Sequence, residues 1–379
     1  MRFLLPLIVL TVVAILPDIY ITKAFLKDSS IYVKLLQWLP TILYMVSIAG
    51  LQLRGAESNW AMKLFFAVIL CFMLPKLLFT IISLLGRPMH HQSVFNLTGA
   101  TISILLMLCA TYGMTIGWKN PVIRKIDLHF EKLPKTFEGY TIVHISDWHL
   151  GTYRPHPQTI QKEIELANAA DADAIVFTGD IINGSPVELE PFREMLSTLK
   201  AKDGVFSIMG NHDYCMYGSE HTPEGIRRNI EILQDMERSF GWNLLLNENR
   251  LVTRGSDTLA IVGVENDGTP PFPQYADLDK AQSGTDGAAF KVLLSHDPTH
   301  WRRSVLPDTD IDLTLSGHTH AMQFKVLGFS PSRFAYKEWG GLYEEGERKL
   351  YVSTGSGGNV AFRFGAWPEI IKITLHTCQ

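Results

Sequence analysis

Four long apolar runs lie within the first 118 residues, and they constrain the fold of this chain more than any other feature. They cover residues 3–21, 32–53, 60–85 and 94–118. Each is close to the ~20 residues that a helix needs to cross a bilayer. Backbone polar groups in lipid need partners within the segment, so such runs fold as helices. We therefore expect residues 1–118 to form an all-α bundle of four transmembrane helices.

Two other interpretations of these runs compete with membrane crossing. A cleaved signal peptide would explain only the first run, which has no clear small-x-small cleavage site. One amphipathic anchor followed by buried core helices would explain all four, but consecutive long apolar runs are rare in soluble folds. Lys76 lies inside the third run, where a charge is costly in lipid. We expect its side chain to face a partner helix or to reach the interface.

Basic residues between the apolar runs indicate how the chain is oriented. Four crossings put both ends of the bundle on one side of the membrane. An excess of Lys and Arg marks the cytoplasmic side. With the N-terminus inside, the cytoplasmic basic residues would be Arg2, Arg54, Lys63, Lys119, Arg124 and Lys125. Only Lys23, Lys27, Lys34 and Arg87 would lie outside. The remainder of the chain is therefore expected in the cytoplasm.

The second part of the chain, residues 119–379, has the pattern of a soluble α/β domain. Short apolar runs alternate with amphipathic helical stretches, which is typical of this fold class. We expect helices at residues 158–170 and 191–200. Strands are expected at residues 139–145, 174–177, 205–209, 259–264, 291–294, 311–315, 350–353 and 369–375.

Charge and cysteine content exclude some functions. The net charge of −4 argues against nucleic-acid binding, because a phosphate backbone requires a basic face. The four cysteines are widely spaced and resemble neither a disulfide framework nor a zinc site. This usage favours a reducing compartment.

Polar motifs follow five of the expected strands. In open α/β sheets, functional sites lie just beyond the carboxyl ends of the strands. The motifs are Asp147-x-His149, Gly179-Asp180, Gly210-Asn211-His212-Asp213, Ser295-His296-Asp297 and Gly317-His318-x-His320. Any one of them alone is more often a turn or a satisfied polar residue than a ligand. Their joint occurrence at strand ends predicts a single site.

The side chains in these motifs suit transition metals. Imidazoles, carboxylates and one amide without thiolates favour Mn, Fe, Zn or Co over Ca or Mg. There are enough ligands for two divalent ions, of which Mn²⁺ is the one that we expect first. A carboxylate can bridge two ions, and such a pair converts water to hydroxide near neutral pH.

In this order and spacing, the five motifs resemble those of the calcineurin-like metallophosphoesterases, in particular their membrane-associated branch. The resemblance covers residues 124–375 and implies a four-layer αββα sandwich. It also implies one metal held by Asp147, His149 and His320 and a second held by Asn211, His296 and His318. Asp180 would bridge the two ions.

The resemblance further implies a reaction. A metal-bridging hydroxide would attack phosphorus in line, and His212 would protonate the leaving oxygen. Asp213 would orient His212, although a purely structural loop residue is an equally good interpretation. The expected activity is that of a phosphodiesterase or pyrophosphatase, whose substrate is lipid-linked if the membrane segment reflects its location. The alternative is a catalytically silent scaffold that binds a protein partner at the membrane.

Other residues allow weaker expectations. Arg154, Arg333 and Arg363 follow motif-bearing strands and could grip a phosphate, although surface arginines are the commoner case. The sequence also departs from the family pattern at Ala321-Met322, where this branch usually has two glycines. We expect the added bulk to narrow the mouth of the site. Phe329, Phe334, Tyr336 and Trp339 could form an apolar rim for a lipid tail or simply pack their loop.

Overall fold

The protein is described from a computed structural model, which covers residues 4–54 and 59–378. The chain divides into two compact units, Met1–Ile116 and Gly117–Gln379. In the described part of the first unit the helices are α1 (Leu4–Phe25), α2 (Ile31–Arg54), α3 (Asn59–Val68), a π turn (Ile69–Met73), α4 (Leu74–Leu85) and α5 (Gln92–Thr115). The first unit is therefore helical, as its apolar runs predict.

Three helical segments of the described chain are long and apolar enough to cross a membrane. They are Ile31–Gln52, Trp60–Leu85 and Gln92–Lys119, which match the second, third and fourth apolar runs. The first run, residues 3–21, overlaps α1. Its beginning lies outside the described residues, so a fourth crossing stays a prediction.

Lys76 faces a buried carboxylate inside the helical unit. Its ammonium donates to Oδ1 of Asp18 at 2.8 Å and to the carbonyl of Gln37 at 2.5 Å. Asp18 is fully buried and also accepts a hydrogen bond from the Thr41 hydroxyl. The lysine thus lies against partner helices, one of the two placements expected from the sequence. Since removing one member would leave a buried charge unpaired, the pair fixes how these helices meet.

The second unit is built on two six-stranded mixed sheets. Along the chain the strands are β1 (Val122–Phe130), β2 (Thr141–Ile145), β3 (Ala174–Phe177), β4 (Gly204–Ser207), β5 (Asn243–Leu244), β6 (Glu248–Arg254), β7 (Asp257–Gly263), β8 (Phe290–Leu294), β9 (Leu313–Ser316), β10 (Gly341–Glu345), β11 (Arg348–Val352) and β12 (Glu369–Thr377). The first sheet has the order β1-β12-β2-β3-β4-β5, and the second has the order β10-β11-β9-β8-β7-β6.

Along the central strands, successive side chains point to opposite faces of the sheet, and this alternation separates the hydrophobic cores. On β3, Ala174 and Val176 face a core between the sheets, while Ile175 and Phe177 face a second core on the outer side. Helices cover that outer side through residues such as Ile164 and Leu233. A third core, which includes Trp301, covers the outer face of the second sheet. This confirms the expected αββα sandwich, in which strands buried on both faces are apolar throughout.

The helices of the second unit differ from the expectation at residues 191–200 and in several helices that were not expected. They are α6 (Leu150–Tyr153), α7 (Pro157–Ala169), α8 (Arg193–Leu196), α9 (Pro223–Ser239), α10 (Leu278–Gln282), α11 (Leu306–Asp308) and a π turn (Trp301–Val305). The helix expected at residues 191–200 is wrong: a 3₁₀ segment, Pro186–Phe192, precedes the single turn α8. Pro191 cannot donate the backbone hydrogen bond that a continuous helix needs.

The long helix α9 was missed because its apolar stripe is narrow. It buries Leu233 and Met236, but most of its surface is polar. The sequence signal for this helix lies at its start. The Thr222 hydroxyl caps the helix by accepting a hydrogen bond from the amide of Gly225, and Pro223 follows as the first helical residue. Thr then Pro is a strong helix start.

Glu163, on α7, is a carboxyl group buried in the outer core. It accepts a hydrogen bond from the indole N–H of Trp148 at 2.7 Å and has no exposed surface. Burial raises its pKa to about 7, although the bonds from Trp148 and Ser356 oppose this. Since the folded pKa lies above the unfolded value, Glu163 favours the folded state least once the pH exceeds both.

We predict that Glu163→Gln stabilises the protein increasingly between pH 5 and pH 8. Glutamine keeps an acceptor for Trp148 and carries no charge, so the ionisation penalty of at most about 3 kcal/mol disappears. Thermal unfolding of the full chain in detergent, followed across this pH range, measures the difference between the two proteins. The exposed Glu165→Gln on the same helix is the control and should show no such trend. A difference that stays constant with pH would contradict the assignment.

Candidate metal centre

The seven ligand candidates converge at one edge of the sandwich. Strands β2, β3 and β4 are adjacent in the first sheet, and β8 and β9 are adjacent in the second. The polar motif of each of these strands lies just past the carboxyl end of the strand. Potential ligand atoms lie within 4.8 Å of one another in two groups: Asp147, His149, Asp180 and His320, and Asp180, His296 and His318. Asp180 belongs to both groups.

In the first group, two imidazoles and two carboxylates face each other. Nε2 of His149 lies 3.3 Å from Nε2 of His320 and 3.5 Å from Oδ2 of Asp180. Nε2 of His320 lies 3.6 Å from Oδ1 of Asp147. Convergent nitrogen and carboxylate oxygen atoms at a buried site are the donors that a divalent transition metal takes.

In the second group, His318 links the remaining candidates. Its Nδ1 lies 2.8 Å from Oδ1 of Asn211 and 3.3 Å from Nε2 of His296. Nε2 of His296 lies 3.2 Å from Oδ2 of Asp180, the same oxygen that faces His149. His296 is held by a contact of its other ring nitrogen, Nδ1, with the Thr178 carbonyl at 2.7 Å. Such an outer partner fixes the ring orientation of a ligand histidine.

Five of the seven candidates adopt the left-handed backbone conformation. Their φ values are 57° for Asp147, 50° for His149, 58° for Asp180, 72° for His318 and 50° for His320. For residues with a Cβ this conformation costs about 1–2 kcal/mol each. Strain of this kind persists where the surroundings hold it, and it concentrates at functional sites.

Glycines in the motifs make room for the two carboxylates. A Cβ at Gly210 would overlap the Asp180 carboxylate, and a Cβ at Gly317 would overlap that of Asp147. The loops after β4 and β9 therefore approach the acids more closely than any other residue type allows. This is the physical reason for glycine at the start of Gly210-Asn211 and Gly317-His318.

Burial sets the protonation of the imidazoles. It lowers the pKa of His149 to about 3 and that of His318 to about 4, so both rings are neutral near pH 7. It also lowers the pKa of His320 well below its usual range. Neutral rings have free lone pairs, as metal ligation requires.

The two carboxylates are in different states. Burial raises the pKa of Asp147 to about 6, against the opposing charge of His296. Burial would also raise the pKa of Asp180, but neighbouring imidazoles, first His296, hold it well below its usual range. His296 shows the reverse: burial opposes protonation, yet Asp180 raises its pKa to about 10. A protonated His296 thus balances the Asp180 charge, and a bound cation would replace that proton.

His212 lies beside the ligand groups and is only partly buried. Its ring centre is 4.7 Å from that of His149 and 4.4 Å from that of Tyr217. Its Nδ1 contacts the carbonyl of Asn183 at 2.6 Å, and its Nε2 lies 3.2 Å from the amide of Asn359. The carbonyl fixes the ring and leaves Nε2 on the accessible side.

Of the two interpretations offered for Asp213, the contacts agree with the structural one. Instead of orienting His212, its buried carboxylate accepts backbone N–H bonds from Asp180, Ile181, Ile182 and Gly210 at 2.7–3.3 Å. The carbonyl of Asn183 orients His212 in its place. Asp213 therefore ties the loop after β3 to the loop after β4, which is a positioning role.

Three further side chains lie at the site. The sequence analysis either gave them another role or did not identify them. Tyr336, expected only as part of an apolar rim, lies with its hydroxyl 2.9 Å from Nε2 of His318. Tyr217 accepts from the amide of Asn211 at 3.3 Å. Asn359 belongs to none of the five motifs, so the sequence alone did not identify it. Conversely, Arg363 has no exposed surface and donates to the carbonyls of Thr354, Gly357 and Ala366, so it cannot grip a substrate phosphate.

At Ala321-Met322 the chain departs from glycine although the backbone there is left-handed. His320, Ala321, Met322 and Gln323 all have φ between 46° and 57°. Two glycines would relieve strain in such a left-handed turn. Ala321 is buried and Met322 is exposed, so the side chains were accommodated at the cost of backbone energy.

Comparisons with known proteins agree with this geometry. Residues 140–322 match the family model described as calcineurin-like phosphoesterase. A transmembrane protein with metallophosphoesterase domain from Danio rerio is 28% identical over 283 residues. These residues make up 72% of this chain and 61% of that protein. An uncharacterized metallophosphoesterase from Campylobacter jejuni is 26% identical over 95% of both chains. A UDP-2,3-diacylglucosamine pyrophosphatase from Chlamydia muridarum is 27% identical over 73% of this chain and 97% of its own length.

The family model spans the strands that carry all seven ligand candidates, and several relatives carry names that refer to a membrane or a metallophosphoesterase. The chain therefore carries a calcineurin-like metallophosphoesterase domain preceded by candidate membrane-spanning helices.

Proposed function

We propose that the protein is a membrane-anchored dimetal phosphoester hydrolase, acting on a phosphodiester or a pyrophosphate. The observation that carries this proposal is the convergence of six ligand side chains in two groups that share Asp180, with Asn211 against His318 and His212 beside His149. A scaffold would not need both a complete ligand set and a separately oriented histidine. The silent alternative is therefore disfavoured.

Each group of ligands fits one divalent ion. Asp147, His149 and His320 would hold the first, Asn211, His296 and His318 the second, and Asp180 both. Such ions activate a water as nucleophile and neutralise charge on the phosphoryl oxygens. Neutral imidazoles with an amide oxygen and carboxylates favour Mn²⁺, with Fe, Zn and Co also compatible.

His212 supplies the proton that the leaving oxygen needs. The Asn183 carbonyl accepts a hydrogen bond from Nδ1 at 2.6 Å, which fixes the ring and directs Nε2 outward. The Asn359 amide nitrogen lies 3.2 Å from Nε2, and this donor contact must be released when Nε2 carries the proton. Asp213 holds the amides of residues 180–182 and 210, and thereby the positions of Asp180 and Asn211.

A substrate in or near the bilayer accords with the anchor. The Chlamydia muridarum relative is named for pyrophosphate cleavage in a diacylated sugar nucleotide, and the alignment covers 97% of its length. We therefore propose a lipid-linked phosphoester as the substrate class.

The direct test of the function is metal-dependent cleavage by the purified full chain in detergent. After chelation and restoration of Mn²⁺, we expect hydrolysis of bis-p-nitrophenyl phosphate to disappear and return, and to exceed that of p-nitrophenyl phosphate. The reason is that the two ions would activate the water that attacks phosphorus. Turnover that survives complete chelation, or a chain that binds no metal, would contradict the proposal.

His212→Ala separates proton donation from metal binding. We expect a turnover lower by about 10²–10⁴-fold, the usual scale for a general acid, with a full metal content by elemental analysis. The loss should be larger for an alkyl leaving group, which needs a proton, than for nitrophenolate. His221→Ala, an exposed histidine nearby in sequence, is the control. Full activity of His212→Ala on the alkyl ester would rule out the role.

We also propose that the catalytic domain lies on the cytoplasmic side, because basic residues are in excess on that side of the expected crossings. A C-terminal fusion to alkaline phosphatase, which is active only outside the cytoplasm, should be inactive in a bacterial host. The matching fusion to a fluorescent protein that folds only inside should fluoresce. The opposite pair of results would overturn this orientation.

A further inference from the structure

An exposed apolar loop follows the last ligand candidate, His320. It comprises residues 322–337 and is called the 322–337 loop below. Its exposed apolar side chains are Met322, Val326, Leu327, Phe329 and Phe334. Leu327 is 102% exposed and Phe334 is 81% exposed. Single exposed apolar residues are ordinary, but a group of this size on one loop marks an interaction surface.

The tip of the loop keeps a leucine where the backbone disfavours it. Val326 and Phe329 exchange two backbone hydrogen bonds of 2.9 Å, which closes a tight turn. The two residues between them have positive φ, 49° for Leu327 and 79° for Gly328. Such turns favour Asn-Gly. Leucine is here both strained and fully in water, so neither the turn nor a core accounts for it.

The loop is held in place by its own contacts. The hydroxyl of Ser330 donates to the carbonyl of Ala321 at 2.6 Å, and Ser330 and Ser332 are fully buried. The guanidinium of Arg333 lies 5.8 Å from the ring centre of Phe329. The apolar tip is therefore presented on a fixed support, and binding requires little further ordering.

The charge of the loop is positive, although the chain as a whole is acidic. Residues 322–337 include Lys325, Arg333 and Lys337 and contain no Asp or Glu, whereas the whole chain has a net charge of −4. Exposed apolar residues flanked by Lys and Arg are the composition that binds an anionic bilayer surface. A soluble protein partner would not by itself require a uniformly basic flank.

We propose that the 322–337 loop inserts Leu327, Phe329 and Phe334 into the surface of an anionic lipid bilayer, with its basic residues at the headgroups. A bilayer is the partner that the chain itself brings within reach. Its last candidate membrane span, Gln92–Lys119, ends shortly before β1 begins at Val122.

The loop also reaches the candidate metal centre. The hydroxyl of Tyr336, near its end, lies 2.9 Å from Nε2 of His318. If the proposed function holds, on which this consequence rests, lipid binding places the site mouth at the headgroup level. The substrate class is then a phosphoester in the headgroup of a membrane lipid, whose chains stay in the bilayer.

The test measures the depth of the tip in a membrane. The full chain with Cys109→Ser and Cys378→Ser is labelled at Leu327→Cys with an environment-sensitive fluorophore and placed in nanodiscs. These contain phosphatidylcholine and phosphatidylglycerol, with a spin label on the acyl chain as quencher. We expect blue-shifted emission and at least twofold quenching. The matched control is Asp286→Cys on another exposed loop, which should be unquenched. A label at Phe334→Cys repeats the measurement independently.

Charge is tested separately. Replacing phosphatidylglycerol with phosphatidylcholine should reduce quenching at Leu327→Cys, and Lys325→Gln with Arg333→Gln and Lys337→Gln should remove this lipid dependence. An unquenched label in anionic nanodiscs overturns the proposal, including the case in which a protein covers the loop. Equal quenching at Asp286→Cys overturns it as well, because the tip would then have no special depth.

The fluorescence result does not require turnover, so the two proposals fail separately. A quenched tip in a chain that binds no metal and hydrolyses neither a phosphodiester nor a pyrophosphate would leave the lipid surface standing and refute the proposed function. An unquenched tip in an active enzyme would do the reverse.

Discussion

The structure of the candidate site depends on two fully buried carboxylates, Asp147 and Asp180, packed among imidazoles. An isolated carboxylate is very costly in such surroundings, so it must be paired or bind a cation. In the described part of the chain the ligand side chains nearest to them are His149, His296 and His320. These rings cannot all be charged at once, because they lie close together. Two divalent ions, as proposed above, would satisfy the carboxylates and leave the imidazoles neutral.

The surrounding fold is arranged to hold this otherwise unfavourable cluster. Left-handed backbone at five ligand candidates, and glycine where loops meet the carboxylates, bring strand ends from two sheets together. Asp213 joins the loop after β3 to that after β4 through backbone amides. The packed cores on both faces of each sheet supply the rigidity that opposes the strain. The backbone strain therefore lowers the stability of the fold, and in return the ligand side chains are positioned before any metal binds.

Apolar runs were enough to predict most of the strands, whereas the αββα arrangement followed from the resemblance to the metallophosphoesterases. Strands such as Ala174–Phe177 are apolar throughout because both faces are buried, and their positions followed from the sequence. The polar motifs beyond them were likewise visible, since strand ends collect functional groups. The metal-binding role of those residues remains a proposal. Short or polar elements were not predicted: β5 has two residues, and α9 has only a narrow apolar stripe.

Side-chain roles were harder to predict than positions. Asp213 adjoins His212 in sequence, yet tertiary structure turns its carboxylate toward the amides of the neighbouring loop. The group that does orient His212 is a backbone carbonyl, that of Asn183, which leaves no trace in side-chain identity. Arg363 looked like a surface residue, but backbone carbonyls in a loop bury it. Loop conformation, which depends on distant contacts, decides each of these cases.

The central claim is that one carboxylate, Asp180, joins two metal sites. Anomalous X-ray scattering from crystals of the full chain grown with Mn²⁺ tests it most directly. We predict two peaks about 3.5–4 Å apart, one on each side of Asp180. One should contact Asp147, His149 and His320, and the other Asn211, His296 and His318. A single peak, or peaks away from Asp180 at full Mn²⁺ loading, would contradict the account.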